Sequence, residues 1–218
     1  MSTIDYAKAR ELMVEQQVRP WEVLDERVLE VISAMPREQF VAEAHRALAY
    51  ADLALPLGHG QRMMKPVVEG RALQSILAKP FEEVLEVGTG SGYLAACLGR
   101  LARDVVSLEL YPELADAARE RLAEQRITNV EVVQADAMAW TTSRRFDAIC
   151  VSGAVVEVPA RFMEWLKPGG RLFAVRGRSP AMEAVLVHHD INGPRTESLF
   201  ETDLPYLVGA APVPAFEL

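Results

Sequence analysis

The sequence predicts an α/β fold: a mostly parallel, seven-stranded sheet with helices on both faces, a helical N-terminal extension and a closing antiparallel hairpin. Three observations predict it. From Glu83 onward, short apolar runs alternate with helix-patterned segments, the signature of a parallel sheet buried on both faces. After Gly177 the alternation stops, and two strand-like runs follow one another across Asn192-Gly193-Pro194, a turn signal. The chain before residue 81 shows helical spacing and loop punctuation without that alternation.

Taken in order, Tyr6–Val18 and Asp25–Met35 carry apolar residues at helical spacing, with Pro20 and Pro36 as punctuation. Leu55–Pro66 is bounded by Gly and Pro and reads as a loop, and Val67–Ala78 reads as a helix. The parallel strands are expected at Val84–Val87, Val105–Leu110, Val130–Val133, Ala148–Val151 and Arg171–Val175. Helices are expected between them, near Tyr93–Leu101, Pro112–Gln125 and Pro159–Leu166. Met182–His189 and Thr196–Leu204 form the hairpin. The expected organisation is a helical and substrate-loop extension over residues 1–80, packed on a core over residues 81–218.

Composition narrows the function. The chain has 218 residues, 50% of them apolar, enough for one well-buried core. Its formal net charge is −8, and no cluster of Lys and Arg interleaves with aromatics, which argues against a nucleic-acid partner. No apolar run approaches the roughly 20 residues of a membrane helix, and Met1–Arg10 lacks the basic-then-apolar start of a secretory signal. Cys97 and Cys150 lie far apart within apolar patterns and read as reduced core thiols, so a cytoplasmic protein without a metal site is expected. His188 and His189 sit in a strand pattern, where adjacent side chains face opposite ways and do not share a metal.

Chemistry concentrates at Glu86-Val87-Gly88-Thr89-Gly90-Ser91-Gly92-Tyr93, which follows a strand and opens a helix. Glycines there let the backbone turn sharply and let a ligand lie against it. The E-x-G-x-G-x-G spacing is not the G-x-G-x-x-G of dinucleotide sites, where helix N-terminal amides meet a pyrophosphate. It is the spacing used with S-adenosyl-L-methionine, a ligand that has no phosphate and carries a cationic amino group. A carboxylate at Glu86, at the strand's carboxyl end, suits that ammonium. Glu109 ends the next run, about 20 residues on, where an acid binds ribose hydroxyls, and Leu110 follows it. Asp136 and Ala137 follow the third run, beside the expected adenine edge. The expected fold is therefore a Rossmann-like class I methyltransferase, with these residues as its cofactor contacts.

The chain resembles the protein-L-isoaspartate O-methyltransferases over nearly its whole length. The resemblance rests on Met35-Pro36-Arg37-Glu38-Gln39-Phe40-Val41, Ala49-Tyr50-Ala51-Asp52 and Leu55-Pro56-Leu57-Gly58-His59-Gly60-Gln61, then on Val84–Tyr93 and Leu166–Leu172. The segments before residue 62 are the specific ones, because other methyltransferases lack them. The resemblance implies methyl transfer from S-adenosyl-L-methionine to the α-carboxylate of isoaspartyl residues in damaged proteins, the opening step of their repair, leaving S-adenosyl-L-homocysteine. The implied partner is a peptide or protein bearing isoaspartate, or another small acceptor.

Three departures stand beside it. Where the family continues Thr-Ile-Ser-Gln/Ala-Pro, this chain reads Arg62-Met63-Met64-Lys65-Pro66. Where it reads Pro-Val-Gly after the fifth strand, this chain has Val175-Arg176-Gly177-Arg178, and Gly-Asp-Gly becomes Ala135-Asp136-Ala137. A carboxylate acceptor, with a reference pKa of about 3.9, is ionised at neutral pH and needs no general base. No residue is therefore singled out as catalytic, and the candidates in the substrate loop are His59, Arg62, Met64 and Lys65. Asp203-Leu204-Pro205-Tyr206 resembles an amino-group methyltransferase motif but stands in the wrong place, since that motif belongs at Val151–Ala154. A related enzyme with a different acceptor, and a cofactor-binding protein without turnover, remain alternatives to isoaspartyl methylation at this point.

Overall fold

The computed structural model describes residues 4–213; residues 1–3 and 214–218, where the expected extension begins and the expected core ends, lie outside the described residues. Helix α1 (Tyr6–Met13) continues through a π turn at Val14–Val18 and a 3-10 turn at Arg19–Trp21. Helix α2 (Glu26–Ala34) starts at Asp25, whose carboxylate accepts from the amides of Arg27 and Val28 at 3.1 and 3.2 Å, satisfying two of the free donors of the first turn. Short 3-10 turns at Arg37–Gln39 and Glu43–Leu48 lead to strands β1 (Leu55–Gly58) and β2 (Gln61–Met63), then to helix α3 (Pro66–Ile76).

From there strand and helix alternate: β3 (Glu83–Val87), α4 (Tyr93–Leu101), β4 (Asp104–Glu109), α5 (Pro112–Glu124), β5 (Val130–Gln134), β6 (Phe146–Val155), α6 (Ala160–Glu164) and β7 (Leu166–Arg178). Strands β8 (Ala181–Asp190) and β9 (Gly193–Thr202) close the sheet, whose order is β5-β4-β3-β6-β7-β8-β9. The strands from β3 to β7 pair in parallel, and β8 and β9 pair antiparallel.

Both faces of the sheet are buried, which is why its central runs are apolar except where Glu86 and Ser107 lie side by side in β3 and β4. On one face Val84, Cys150 and Phe173 meet residues of α2 to α5 and the start of the chain. On the other, Leu85, Ile149 and Leu172 meet Phe162 of α6 and Trp165. Because β4 and β6 flank β3 on opposite sides, the chain order reverses at β3. A crevice opens at the strands' carboxyl ends at such a reversal, and it is where ligands of open α/β sheets bind. After β9 the chain returns across this crevice: the amide of Ala154 donates to the carbonyl of Pro205 at 2.8 Å, and that of Leu207 to Ala154 at 2.9 Å.

Some expected boundaries are corrected. Leu55–Pro66 is not an open loop: β1 and β2 pair antiparallel, and Gly58, His59 and Gly60 turn the chain with φ of +99°, +51° and +72°. Helix α6 ends at Glu164 rather than Leu166, because Leu166 already pairs with Phe146 in the sheet. The hairpin register places Asp190 opposite Gly193, so Gly193 and Pro194 belong to β9 and not to the turn. β9 accordingly ends at Thr202, not at Leu204. Cys97 and Cys150 are buried free thiols. Among the described residues no helix is long and apolar enough to cross a membrane, and no group of three or more His, Cys, Asp or Glu is placed to hold a metal.

Candidate functional site

The crevice is walled by three strand ends. Val87 closes β3, and the chain turns through Gly88, Gly90 and Gly92 with φ of +96°, +53° and +85°. A Cβ at Gly88 would stand 2.5 Å from Ser152 Oγ, and one at Gly90 2.9 Å from Leu57 Cδ1, so both positions need the open space as well as the backbone freedom. Glu109 and Leu110 line the cleft from β4, and Asp136 and Ala137 from the end of β5. Glu109 is 5% exposed. One of its oxygens accepts from the amide of Gly90 at 2.7 Å and the other from Tyr111 at 3.1 Å. The carboxylate thus ties the glycine turn to the end of β4 and keeps lone pairs for a ligand. Asp136, at the exposed edge, accepts from the amide of Met138 at 2.8 Å and so shapes its own turn.

Behind the turn lies a smaller cavity lined by Glu86, Thr89, Ser91 and Glu69. Parallel register sets Glu86 opposite Ser107, whose hydroxyl donates to Glu86 Oε2 and shares a 2.5 Å hydrogen bond with Thr89. Glu86 is wholly buried, and its Oε1 has no partner among the described residues. Burial pushes its pKa up to about 8, with Glu109 and Glu69 adding to the rise and the Ser107 hydroxyl opposing it. A buried carboxylate with an orphaned oxygen, beside a glycine turn that a Cβ would fill, fits a ligand carrying an ammonium group.

Three expected site residues line neither these cavities nor the third described below. Gly92 caps α4 and lets it approach α5, since a Cβ there would meet Ala118 Cβ at 3.2 Å. Tyr93 turns toward the segment before β1, edge-on to Phe40 with ring centroids 5.6 Å apart and beneath the Arg37 guanidinium at 4.8 Å. His59 turns outward, stacks on Tyr111 at 4.1 Å and lies 3.6 Å from Glu113, so it fastens the β1–β2 hairpin to the rim. Sequence reasoning missed Ser152, Gly153, Leu57, Leu207 and Val208, which all line the cleft. Ser152 and Gly153 follow the apolar run of β6, so their place at a strand's carboxyl end was the available signal. Leu207 arrives by tertiary return, and only a glycine at 153 admits it: a Cβ there would stand 2.6 Å from Leu207 Cδ2.

A third cavity, of about 380 Å³, opens beside the first two. The segment 62–65 forms one part of its lining and the segment 202–206 another. Of the loop candidates, Arg62, Met64 and Lys65 line it. Arg62 and Lys65 are exposed and form no ion pair among the described residues, while Met64 is buried and its carbonyl accepts from Arg37 at 2.7 Å. Arg62 and Ser152 line all three cavities and so mark where they meet. Ser152 donates its hydroxyl to the carbonyls of Val87, at 2.9 Å, and Gly88, which fixes the floor of this junction.

The sequence profile of the family described as protein-L-isoaspartate(D-aspartate) O-methyltransferase matches residues 8–195. A relative named protein-L-isoaspartate O-methyltransferase 2, from Anaeromyxobacter sp., is 42% identical over 192 residues, covering 87% of this chain and 79% of its own. Protein-L-isoaspartate O-methyltransferase 1 from Syntrophobacter fumaroxidans is 37% identical over 207 residues, covering 94% and 97%. Among solved structures, a putative protein-L-isoaspartate O-methyltransferase from Plasmodium falciparum, in complex with S-adenosyl-L-homocysteine, superposes with a TM-score of 0.79. That match covers 94% of this chain and 99% of the other at 19% identity, a likeness of fold.

Proposed function

Because the chain belongs to the protein-L-isoaspartate O-methyltransferase family, we propose that it methylates the α-carboxylate of L-isoaspartyl residues in damaged peptides and proteins, with S-adenosyl-L-methionine as donor. The observation that carries this reading is the meeting of three cavities at Arg62 and Ser152: one suited to a nucleoside, one to an ammonium group, and one open to an acceptor. Glu86 takes the ammonium, Glu109 the ribose hydroxyls, and Asp136 and Ala137 the adenine edge. Val87, Gly88 and Gly90 form the surface along which the ligand lies, with Leu57 and Leu207 closing over it. When bound, the cofactor supplies an electrophilic methyl group on a sulfonium.

The rest of the reaction is positioning. An isoaspartyl carboxylate is anionic at neutral pH, so no side chain has to remove a proton. The chain's own residues hold that anion at the junction and keep water away, which are the effects that speed a displacement between two prepared reactants. Ser152 keeps the floor of the junction rigid, and Arg62 and Lys65 supply cations where the family has neutral residues. A peptide or protein is the partner this reading requires, and the excess of 31 acidic over 23 basic residues supports the absence of nucleic acid from it. The two buried free thiols support a reducing, cytoplasmic setting.

The loop cations give the test. Lys65 lines only the acceptor cavity, whereas Arg62 also borders the cofactor cleft. Lys65→Ala is expected to raise the KM for an isoaspartyl peptide about tenfold, the loss of one charge-assisted contact of about 1.4 kcal/mol, and to leave S-adenosyl-L-homocysteine affinity unchanged. Arg62→Ala is expected to raise KM at least as much and to weaken cofactor binding as well. Steady-state kinetics on the peptide, read as base-labile methyl ester, check both. An unchanged KM in both variants would remove the cations from the acceptor site.

A further inference from the structure

The cavity behind the glycine turn holds more carboxylate than it can neutralise. Glu86 enters from β3 and Glu69 from α3, and the two are 0% and 3% exposed. The one buried cation among the described residues is Arg37, and it is committed to Glu69. Two more of its donors go to the carbonyls of Ala49 and Met64, at 2.8 and 2.7 Å. From β4, Ser107 donates a single hydrogen bond to Glu86, and Glu109 adds a further negative charge already held by two amides. From β6, Cys150 stands opposite Glu86 in register; burial raises its thiol and that of Cys97 on α4, and both stay neutral. Arg62 borders the cavity from β2 but is exposed, with its guanidinium 3.4 Å from the carbonyl of Ala54. Among the described residues no cation therefore reaches Glu86 Oε1.

We propose that this cavity exchanges a proton for the ligand's ammonium group: Glu86, beside the Glu69 carboxyl, carries a proton in the empty protein and releases it as the ammonium enters. The proposal rests on the cofactor assignment above and deepens it. The exchange balances, since one positive charge leaves Glu86 for solvent as one enters on the ligand's nitrogen, which keeps its own proton. The cavity's net charge stays constant, so the ligand is spared the cost of desolvating a bare carboxylate. Burial raises Glu86 to about 8 and, despite Arg37, Glu69 to about 7, so at neutral pH the empty pair holds at least one proton.

Acid favours the protonated, empty cavity and competes with the ligand, so affinity is highest above pH 8 and falls as pH drops. For one exchanged proton with an empty-state pKa of about 8, Kd rises about fiftyfold from pH 8 to pH 6.

The experiment is titration calorimetry of the full-length protein with S-adenosyl-L-homocysteine at pH 7, in phosphate and in Tris. The dependence of the measured enthalpy on the buffer's ionisation enthalpy counts the protons released, and about one is expected. 5′-Methylthioadenosine, which keeps the nucleoside and lacks the ammonium group, is expected to release none. Glu86→Gln is expected to bind S-adenosyl-L-homocysteine more weakly and to release none. Binding of S-adenosyl-L-homocysteine by the parent without proton release overturns this proposal and leaves the cofactor assignment standing. Equal release with 5′-methylthioadenosine overturns it too, because the proton then comes from elsewhere. Failure of S-adenosyl-L-homocysteine to bind at all overturns both.

Discussion

Gly88→Val is expected to weaken S-adenosyl-L-homocysteine binding by more than a hundredfold. Three costs coincide at this residue. Its φ of +96° lies where a β-branched residue is a genuine outlier. The first carbon of the new side chain would meet Ser152 Oγ at 2.5 Å, and Ser152 is held by two carbonyls and cannot withdraw cheaply. Whatever moves to relieve that contact moves into the cleft, since Gly88 and Ser152 both line it. Gly169→Val separates binding from backbone strain. Gly169 also has a positive φ, +78°, but nothing lies within 4 Å of its Cβ position and it lines none of the three cavities. That variant should lose stability and keep its affinity. Calorimetry on both, with folding followed by circular dichroism, checks the contrast.

Arg37→Met is expected to cost about 3–5 kcal/mol of stability, the usual penalty for stranding one member of a buried ion pair. For a chain of 218 residues that lowers Tm by roughly 6–20 °C. The guanidinium is wholly buried, pairs with Glu69, and donates to the carbonyls of Ala49 and Met64. Methionine matches the length of the stem but leaves a carboxylate and two carbonyls without donors. Adding Glu69→Met removes the stranded carboxylate and should recover part of the loss, the remainder belonging to the two carbonyls. Because Met64 sits between the two loop cations, the single variant should also raise the acceptor KM. Thermal denaturation of the single and double variants, with peptide kinetics at a temperature where both are folded, measures the two effects separately.

The parts of the fold that local sequence determines were legible in it. Doubly buried strands must be mostly apolar, so residues 84–87, apolar but for Glu86, and 148–151 announced themselves, and Asp25 stands where a helix start needs a side chain to accept from its free amides. The glycine turn was legible for the same reason, because Gly88 and Gly90 occupy conformations that the sequence has to encode on the spot. The β1–β2 hairpin was not, since strands of four and three residues are too short to show a period. Tyr93 was misplaced because membership of a motif does not set the direction of a side chain; the first residue of α4 faces Phe40 and Arg37. Leu207 and Glu69 reach the site only through the return of the chain and the docking of α3, which no local pattern records.

The loop departure at Arg62–Lys65 leaves the acceptor as the point on which the whole account turns, and one measurement addresses it directly. The protein is incubated with methyl-labelled S-adenosyl-L-methionine and either of two peptides that differ only in an isoaspartyl or an ordinary aspartyl linkage at one position. The two present the carboxylate one methylene apart along different backbones, so a cavity that positions the anion beside Arg62 and Ser152 discriminates between them. Misplacement of a reacting group by about 1 Å costs on the order of a hundredfold in rate. Base-labile label is expected on the isoaspartyl peptide, with kcat/KM about a hundredfold or more above the aspartyl twin. Equal labelling of the two peptides, or label on neither under conditions where S-adenosyl-L-homocysteine binds, would contradict it.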